Sequence, residues 1–293
     1  MIKYVFRVKK QGETQMTDKI QMKLGHSPDA DDAFMFYAID KNKVTSDKID
    51  FIQVVEDIQS LNKRALNKEL EVTAISAHGY LKVQNDYRIM SCGASMGEGY
   101  GPIVVSKEPI DSLEGKRIGV PGMLTSAYLL LCIFADGFIP VEMAFDEIMP
   151  AVQNGEIETG LLIHEGQLTY KDAGLELLFD IGELWAKETS LPLPLGLNVV
   201  KRDLGEDLQR EAHRVHKESI EYALTHKEEA LEYAMEWGRG MKKDVGEKFV
   251  LMYVNEFTVD LGEKGKAALE YLFDRAYEKG IITEKANLDI LEG

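Results

Sequence analysis

The sequence predicts an α/β protein with two lobes and a cleft between them. Short apolar segments alternate with helical segments from residue 20 onward, the pattern of strands and covering helices in mainly parallel sheets. The alternation forms two blocks, one before and one after about residue 105. At 293 residues the chain also exceeds the size at which a single hydrophobic core usually stops growing, so two lobes are expected.

The first block has the order strand, helix, strand, helix, strand. Strands are predicted over residues 20–25, 49–55, 72–76, 87–92 and 101–106. Ser27 and Pro28 predict the start of the first helix, with serine as its cap and proline in its first turn. Asp57 predicts the cap of the second helix, which is expected to end at Leu66.

The second block repeats this alternation and is complete in itself. Its predicted strands cover residues 117–120, 159–163 and 175–181, and its predicted helices cover residues 126–135 and 145–153. Residues 206–280 are charged and helical by period, so they are expected to pack onto the first sheet. Extended segments near residues 101–106 and 195–201 are expected to cross between the lobes. The expected organisation is an extension (1–19), a discontinuous lobe 1 (20–104 and 199–293) and lobe 2 (105–198).

Charge and cysteine content exclude several classes of protein. Fifty acidic residues against 34 basic residues leave a net charge of −16, which repels nucleic acid and anionic membrane surfaces. A small-molecule substrate is therefore the expected partner. Two cysteines, Cys92 and Cys132, are too few for a disulfide framework, and both are expected to be buried thiols. The first residues lack the apolar core of a signal peptide, so a cytoplasmic protein is expected.

His164 is the first candidate for a catalytic residue. It follows the apolar run of residues 160–163, at the end where an α/β sheet usually carries its site. Histidine is suited to taking and returning protons near neutral pH. The simpler alternative is a partly buried histidine that only hydrogen-bonds the backbone. His213 and His216 lie three residues apart on a charged helix and are expected to be solvated.

Three carboxylates, Asp29, Asp31 and Asp32, lie at the junction of the first strand and helix. Acids in a first helical turn complement the helix dipole by about 0.3–1 kcal/mol each, but three exceed what capping requires. A divalent cation is a second alternative, although the spacing matches no calcium-binding loop. An acceptor for a substrate hydroxyl is preferred, and no metal is predicted.

Hydroxyl groups occur where two predicted helices begin. Ser76 ends the third strand, and Thr125 and Ser126 lie at the start of a long apolar helix. Free backbone N–H groups at a helix start can bind a carboxylate. The alternative, that these hydroxyls only cap their own helices, is the commoner case.

Five segments carry a resemblance to a known family. They are residues 24–29 (LGHSPD), 55–62 (VEDIQSLN), 120–128 (VPGMLTSAY), 160–165 (GLLIHE) and 191–196 (LPLPLG). In this order they resemble the 1,4-dihydroxy-6-naphthoate synthases of the futalosine route to menaquinone. The resemblance implies a two-lobed type II periplasmic-binding-protein-like fold, in which each lobe is a mixed, mainly parallel sheet flanked by helices.

The resemblance also implies a function and a site. The expected reaction is that of a lyase, which converts cyclic dehypoxanthinyl futalosine into 1,4-dihydroxy-6-naphthoate and releases a sugar-derived three-carbon fragment. His164 is implied as the general base, and no cofactor is expected because one histidine can perform the proton transfer. The implied substrate contacts are Ala74, Ile75, Ser76, Ser126 and Ala127, with Asp32 as a further candidate.

Two other functions remain open. A solute-binding subunit of a transporter would have the same fold, but it requires export or a lipid anchor, and the N-terminal sequence offers neither. Chorismate dehydratase, the sister enzyme of the same pathway, is the second alternative. The segment Ile163-His164-Glu165 argues against it.

Overall fold

The computed structural model describes residues 19–237 and 243–293, so the expected extension lies outside the described residues except for Lys19. The strands, in chain order, are β1 (Ile20–His26), β2 (Ile49–Val55), β3 (Val72–Ser76), β4 (Tyr87–Met90), β5 (Ser95–Gly97), β6 (Ile103–Ser106), β7 (Arg117–Val120), β8 (Ile139–Glu142), β9 (Thr159–Leu162), β10 (Glu176–Asp180), β11 (Leu193–Lys201) and β12 (Ile290–Leu291).

Helices cover these strands. They are α1 (Ala30–Asp40), α2 (Ile58–Leu66), α3 (Ala77–Val83), α4 (Ser126–Phe134), α5 (Phe145–Asn154), α6 (Gly166–Thr169), α7 (Ile181–Glu188), α8 (Glu206–Thr225), α9 (Lys227–Glu236), α10 (Lys243–Tyr253), α11 (Glu256–Val259) and α12 (Gly262–Glu278). Within the described ranges, no helix is long and apolar enough to cross a membrane.

The strands form two mixed sheets, and each sheet is the centre of one lobe. The sheet of lobe 1 has the order β12-β4-β11-β3-β1-β2, with β5 also paired to β11. The sheet of lobe 2 has the order β10-β6-β9-β7-β8. This confirms the predicted two-lobed α/β class. The sequence boundaries assigned to the lobes stay a prediction.

The first strand after each crossover between the lobes is antiparallel to its neighbours. In lobe 1, β2, β1 and β3 are parallel, whereas β11 is antiparallel to β3, β4 and β5. In lobe 2, β8, β7 and β9 are parallel, whereas β6 is antiparallel to β9 and β10. Because β1 and β3 are parallel neighbours, their carboxyl ends lie at the same edge of the sheet, and loops that follow both strands contribute to the cleft.

The C-terminal helices pack back onto lobe 1. Helices α8, α9 and α10 all contact α1, and their apolar faces share one core with it. Helix α1 itself is buried on nearly every side, which agrees with its lack of a polar face. The start of α1, which carries the three carboxylates, is therefore held between the lobe 1 sheet and this helical layer.

The sequence predicts several elements with their observed bounds and misses others. Strand β2, helix α2 with its Asp57 cap, and strand β3 agree residue for residue. The predicted start of α1 is wrong. Asp29 is its cap, because the Asp29 carboxylate accepts the Asp32 N–H at 3.2 Å, while the Ser27 hydroxyl donates to Asp29 at 2.6 Å. Strands β5 and β8 and helix α7 were not predicted, since their apolar patterns are too short to stand out.

The predicted solvation of His213 and His216 is also wrong. Each is only 1% exposed, because this face of helix α8 packs against α1 and the lobe 1 sheet. His213 Nε2 lies 3.0 Å from the Ser91 hydroxyl, and the His216 ring stacks on Phe36 at 4.7 Å. Of the two cysteines, Cys92 is buried and Cys132 is half-buried.

Candidate active site

A cavity lies between the lobes and receives side chains from both. Its empty volume is about 690 Å³, part of which opens to solvent. Every residue that the sequence proposed for the site lines it: Asp32, Ala74, Ile75, Ser76, Ser126, Ala127 and His164. Their roles there stay predictions. The carboxyl ends of β1 and β3, the start of α4 and the segment after β9 thus meet at one place.

His164 lies just beyond β9 in an unusual backbone conformation. The strand ends at Leu162, and His164 has φ 52°, in the left-handed region that non-glycine residues seldom adopt. Such a conformation costs about 1–2 kcal/mol and is enriched at functional sites. It turns the chain from β9 into α6, which begins at Gly166. Because the chain is not extended at His164, its side chain does not follow the alternation between two faces that side chains of β9 show.

Three elements fix the imidazole of His164. The ring of Phe145, at the start of α5, meets it edge to face with centroids 5.0 Å apart. Phe249 of α10 meets it in the same way at 6.4 Å. Asp29 Oδ2 lies 3.2 Å from His164 Nδ1, and the His164 side chain is 15% exposed. Asp29 and Phe249 belong to lobe 1, so the position of this ring depends on both lobes.

Asp29 is the partner of His164 that sequence reasoning did not identify. Its carboxylate accepts hydrogen bonds from the Ser27 hydroxyl and the Asp32 N–H. Burial, the largest influence on its pKa, acts to raise it. The attraction of His164 and the bond from Ser27 act in the opposite direction, and the net pKa of Asp29 lies below its usual 3.8. Asp29 is therefore a carboxylate at neutral pH, and a carboxylate can hold an imidazole in one tautomer.

The two neighbouring carboxyl groups behave differently. Burial and the negative charges of Asp29 and Asp32 raise the pKa of Asp31 well above 3.8. Burial and the charge of Asp29 likewise raise the pKa of Asp32 well above that value. Asp32 Oδ2 accepts the Ser27 N–H at 2.6 Å, so one of its oxygens is already engaged within the protein. The cluster thus combines one ionised carboxylate with two groups that favour the neutral acid.

Asp29, Asp31 and His164 offer ligand atoms that all lie within 4.8 Å of one another, a spacing compatible with a divalent cation. Both oxygens of Asp29 are already engaged, Oδ1 by the Asp32 N–H and Oδ2 by Ser27 and His164. Asp29 Oδ2, which Ser27 and His164 both contact, has no lone pair left for a cation, and we assign no metal ligands here.

The start of α4 brings backbone N–H groups of lobe 2 to the cavity. Thr125 caps α4, since its Oγ1 accepts the Tyr128 N–H at 3.2 Å. The Ser126 hydroxyl donates to the Leu195 carbonyl at 2.5 Å. First-turn backbone N–H groups have no acceptor within a helix, so those of α4 are suited to an anionic group. Among the described lining residues there is no lysine or arginine, so the backbone N–H groups of α4 are the donors suited to an anionic group.

Polar contacts between the lobes continue outside the cavity. Lys63 of α2 pairs with Glu142 of β8 at 2.8 Å, and Gln59 Nε2 donates to the same carboxylate at 3.2 Å. Gln59 Oε1 accepts the Leu124 N–H at 3.2 Å. Gly122, at φ +133°, leaves room for Gln59, because a Cβ at this position would lie 2.3 Å from the Gln59 side chain. We call Gln59, Lys63 and Glu142 the interlobe latch.

Fold and cavity together define the class of protein. A Candida albicans protein, described as having the generic periplasmic-binding-protein fold, superposes with a TM-score of 0.68 over 93% of this chain and 96% of its own. Identity is 12%, so this similarity shows the fold alone. The protein has the periplasmic-binding-protein fold, with a cavity between its lobes that contains titratable side chains.

The family follows from closer relatives. A family model described as menaquinone biosynthesis matches residues 22–278, and the chain belongs to this family. The 1,4-dihydroxy-6-naphthoate synthase of Thermus thermophilus is 42% identical over 260 residues, which cover 89% of this chain and 95% of that protein. A crystal structure of an Archaeoglobus fulgidus protein is 49% identical, with a TM-score of 0.86 over 89% of this chain and 98% of that one. These findings confirm the resemblance seen in the sequence.

Proposed function

We propose that the protein is a carbon–carbon lyase that forms 1,4-dihydroxy-6-naphthoate from cyclic dehypoxanthinyl futalosine. Family membership supports the product, because a relative that spans nearly the whole chain carries the name of this synthase. The observation that carries the proposal is the pair of His164 and Asp29 at the cavity wall, 3.2 Å apart. This pair supplies a base with a fixed tautomer, which the cleavage of a hydroxylated substrate requires.

The proposed chemistry starts at His164. With Nδ1 hydrogen-bonded to the Asp29 carboxylate, Nε2 is the nitrogen free to accept a proton. Nε2 takes the proton of a substrate hydroxyl, the oxygen forms a carbonyl, and the adjacent carbon–carbon bond breaks. The bonding electrons pass to a carbonyl oxygen of the ring portion, which takes up a proton and becomes a hydroxyl group of the product. No electrons are gained or lost overall.

Asp29 stabilises the imidazolium that forms during this step. Its pKa lies below its usual value, so it stays ionised while His164 gains and returns the proton. General-base catalysis of this kind typically contributes about 10²–10⁴ in rate. Because Asp29 and His164 lie on different lobes, closure of the cleft and assembly of the base are one event.

The remaining predicted residues are proposed to hold the substrate. The first-turn N–H groups at Ser126 and Ala127, with the Ser76 hydroxyl nearby, are suited to the carboxylate on the aromatic ring. Ala74 and Ile75 offer an apolar surface for the ring itself. Asp32 stays a candidate for a substrate hydroxyl, although one of its oxygens already accepts the Ser27 N–H.

One incubation tests this function. The purified protein is mixed with cyclic dehypoxanthinyl futalosine, and 1,4-dihydroxy-6-naphthoate and the three-carbon fragment are measured by chromatography and mass spectrometry. We expect both products in equal amounts, and a much slower reaction with His164→Ala. A parallel incubation with chorismate tests the sister reaction. Absence of the naphthoate, or turnover of chorismate instead, would contradict the proposal.

A further inference from the structure

Asp31 has a buried oxygen that no protein group satisfies. It lies in the first turn of α1, lines the cavity and is only 7% exposed. Apart from the bond between its carboxyl group and that of Asp29, the described part of the chain offers Asp31 Oδ1 no hydrogen-bond partner and Oδ2 only a long contact of 3.5 Å with the Ser95 hydroxyl. Buried polar atoms are nearly always paired in folded proteins, so an unpaired one at a cavity wall indicates a donor supplied by a ligand.

The neighbours of Asp31 determine what kind of donor it would accept. The titratable groups around it are Asp29, Asp32, His164 and Tyr253. Burial and the two neighbouring carboxylates raise its pKa, and its side chain hydrogen-bonds that of Asp29. When Asp31 is protonated, this arrangement lets one of its oxygens donate to Asp29 and leaves the other as a carbonyl-like acceptor. Such an oxygen suits a hydroxyl group of the substrate.

We propose that Asp31 Oδ1 accepts a hydrogen bond from a hydroxyl of the three-carbon portion that leaves the substrate, next to the base His164. The proposal rests on the proposed function and adds a specificity-determining residue to it. One oxygen of Asp31 and one ring nitrogen of His164 lie within 4.8 Å of each other, so a hydroxyl bound by Asp31 is held close to the imidazole. The product no longer carries the three-carbon portion and therefore lacks this contact.

The donor pattern of Asp31 predicts which substitutions work. An asparagine has the same shape, and its amide can donate to Asp29 while its oxygen faces the hydroxyl. A leucine has a similar volume but offers no acceptor. A site built to bind a hydroxyl loses a large factor when one partner is removed.

The test compares Asp31→Asn, Asp31→Leu and the matched control Asp50→Leu, whose aspartate is exposed on β2. kcat and KM for the cyclic substrate are measured, together with the Kd for 1,4-dihydroxy-6-naphthoate. We expect Asp31→Leu to lower kcat/KM at least about 100-fold and Asp31→Asn no more than about tenfold. We expect Asp50→Leu to stay within about twofold, and the Kd for the product to change less than about threefold in every variant.

Each outcome bears on the proposal. Equal losses in Asp31→Asn and Asp31→Leu would overturn it, because they would mean that the charge, and not an accepting oxygen, is required. Wild-type kcat/KM in Asp31→Leu would overturn it as well. A weakened product Kd in Asp31→Leu would mean general damage to the site. The kcat/KM of Asp31→Asn then decides the proposal, because this variant keeps an accepting oxygen and should lose no more than about tenfold. If the wild-type protein forms no naphthoate at all, it is the proposed function that fails.

Discussion

The two walls of the interlobe cavity carry different chemistry. Lobe 1 contributes carboxyl groups, since Asp29, Asp31 and Asp32 all lie at the start of α1. Lobe 2 contributes the imidazole of His164, the proposed base, and the first turn of α4 with its backbone N–H groups. One wall thus offers carboxyl groups, and the other offers an imidazole and backbone N–H groups.

This difference indicates why neither wall can act alone. His164 comes from one lobe and its partner Asp29 from the other, with 3.2 Å between Nδ1 and Oδ2. An open cleft would separate the imidazole from the carboxylate that holds it. We infer that the base is complete only when the lobes are closed, so chemistry is restricted to a closed, water-poor site.

Removal of the base from the lobe 2 wall should have the largest effect. We expect His164→Ala to lower kcat by about 10²–10⁴, the usual contribution of a general base. The fold and the Kd for 1,4-dihydroxy-6-naphthoate should change little, because the proposed contacts of the product are with β3 and α4. Steady-state kinetics and calorimetry measure the two effects separately. Turnover near the wild-type rate would remove His164 from the mechanism.

Removal of the charge from the lobe 1 wall should have a smaller effect. Asp29→Asn keeps the shape of the side chain but loses the ionised partner of His164, and we expect kcat to fall about 10–100-fold, as for other groups that orient a histidine. Asp57→Asn is a matched control, since Asp57 caps α2 outside the cavity lining. An unchanged kcat in Asp29→Asn would mean that lobe 2 alone supplies the base.

The interlobe latch should affect substrate capture more than chemistry. Glu142→Gln removes the ion pair with Lys63, which is largely exposed, and exposed pairs contribute about 0–1 kcal/mol. We therefore expect KM to rise no more than about fivefold at nearly constant kcat. Glu183→Gln, which breaks the exposed pair with Lys187 within α7, is the control. A large fall in kcat would mean that the latch also positions the cavity walls.

The carboxyl groups of lobe 1 should make stability depend on pH. The pKa of Asp31 is raised on folding, so its contribution to stability is complete below pH 3.8 and is lost as pH rises through the higher folded value. In Asp31→Asn this position has no ionisable group, so the loss of stability with rising pH no longer occurs. We expect its Tm to equal that of the wild type at acidic pH and to exceed it by roughly 2–4 °C per kcal/mol gained at neutral pH. Thermal unfolding from pH 4 to 8, with Asp50→Asn as control, measures the difference. A Tm difference that is constant with pH would contradict this account.

Sequence reasoning identified the residues of the lobe 2 wall better than those of the lobe 1 wall. His164 is detectable because a titratable residue directly follows an apolar strand, and the starts of α3 and α4 carry hydroxyls that mark helix N-termini. Asp29 was seen only as one of three acids, since nothing local tells which acid faces a histidine 135 residues away in the chain. Nothing in the sequence indicates a site role for Phe249, because an apolar residue at helical spacing is typical of ordinary core. Contacts across the cleft depend on how the lobes meet, which local patterns do not encode.

The same limit applies to the fold. The strand and helix pattern of the first block was recovered because each element has a clear period and a cap, as at Asp57. The prediction that His213 and His216 are solvated was wrong because a charged helix can still bury one pair of polar residues in a core. Their burial became visible only once α8 was seen to pack on α1.

A double-mutant cycle for Asp29 and His164 tests the central claim most directly. The kcat for naphthoate formation is compared among wild type, Asp29→Asn, His164→Ala and the double variant. If Asp29 acts through His164, its substitution lowers kcat about 10–100-fold in the wild type but changes it less than about twofold when His164 is already alanine. Equal losses in both backgrounds would contradict a base assembled from the two lobes.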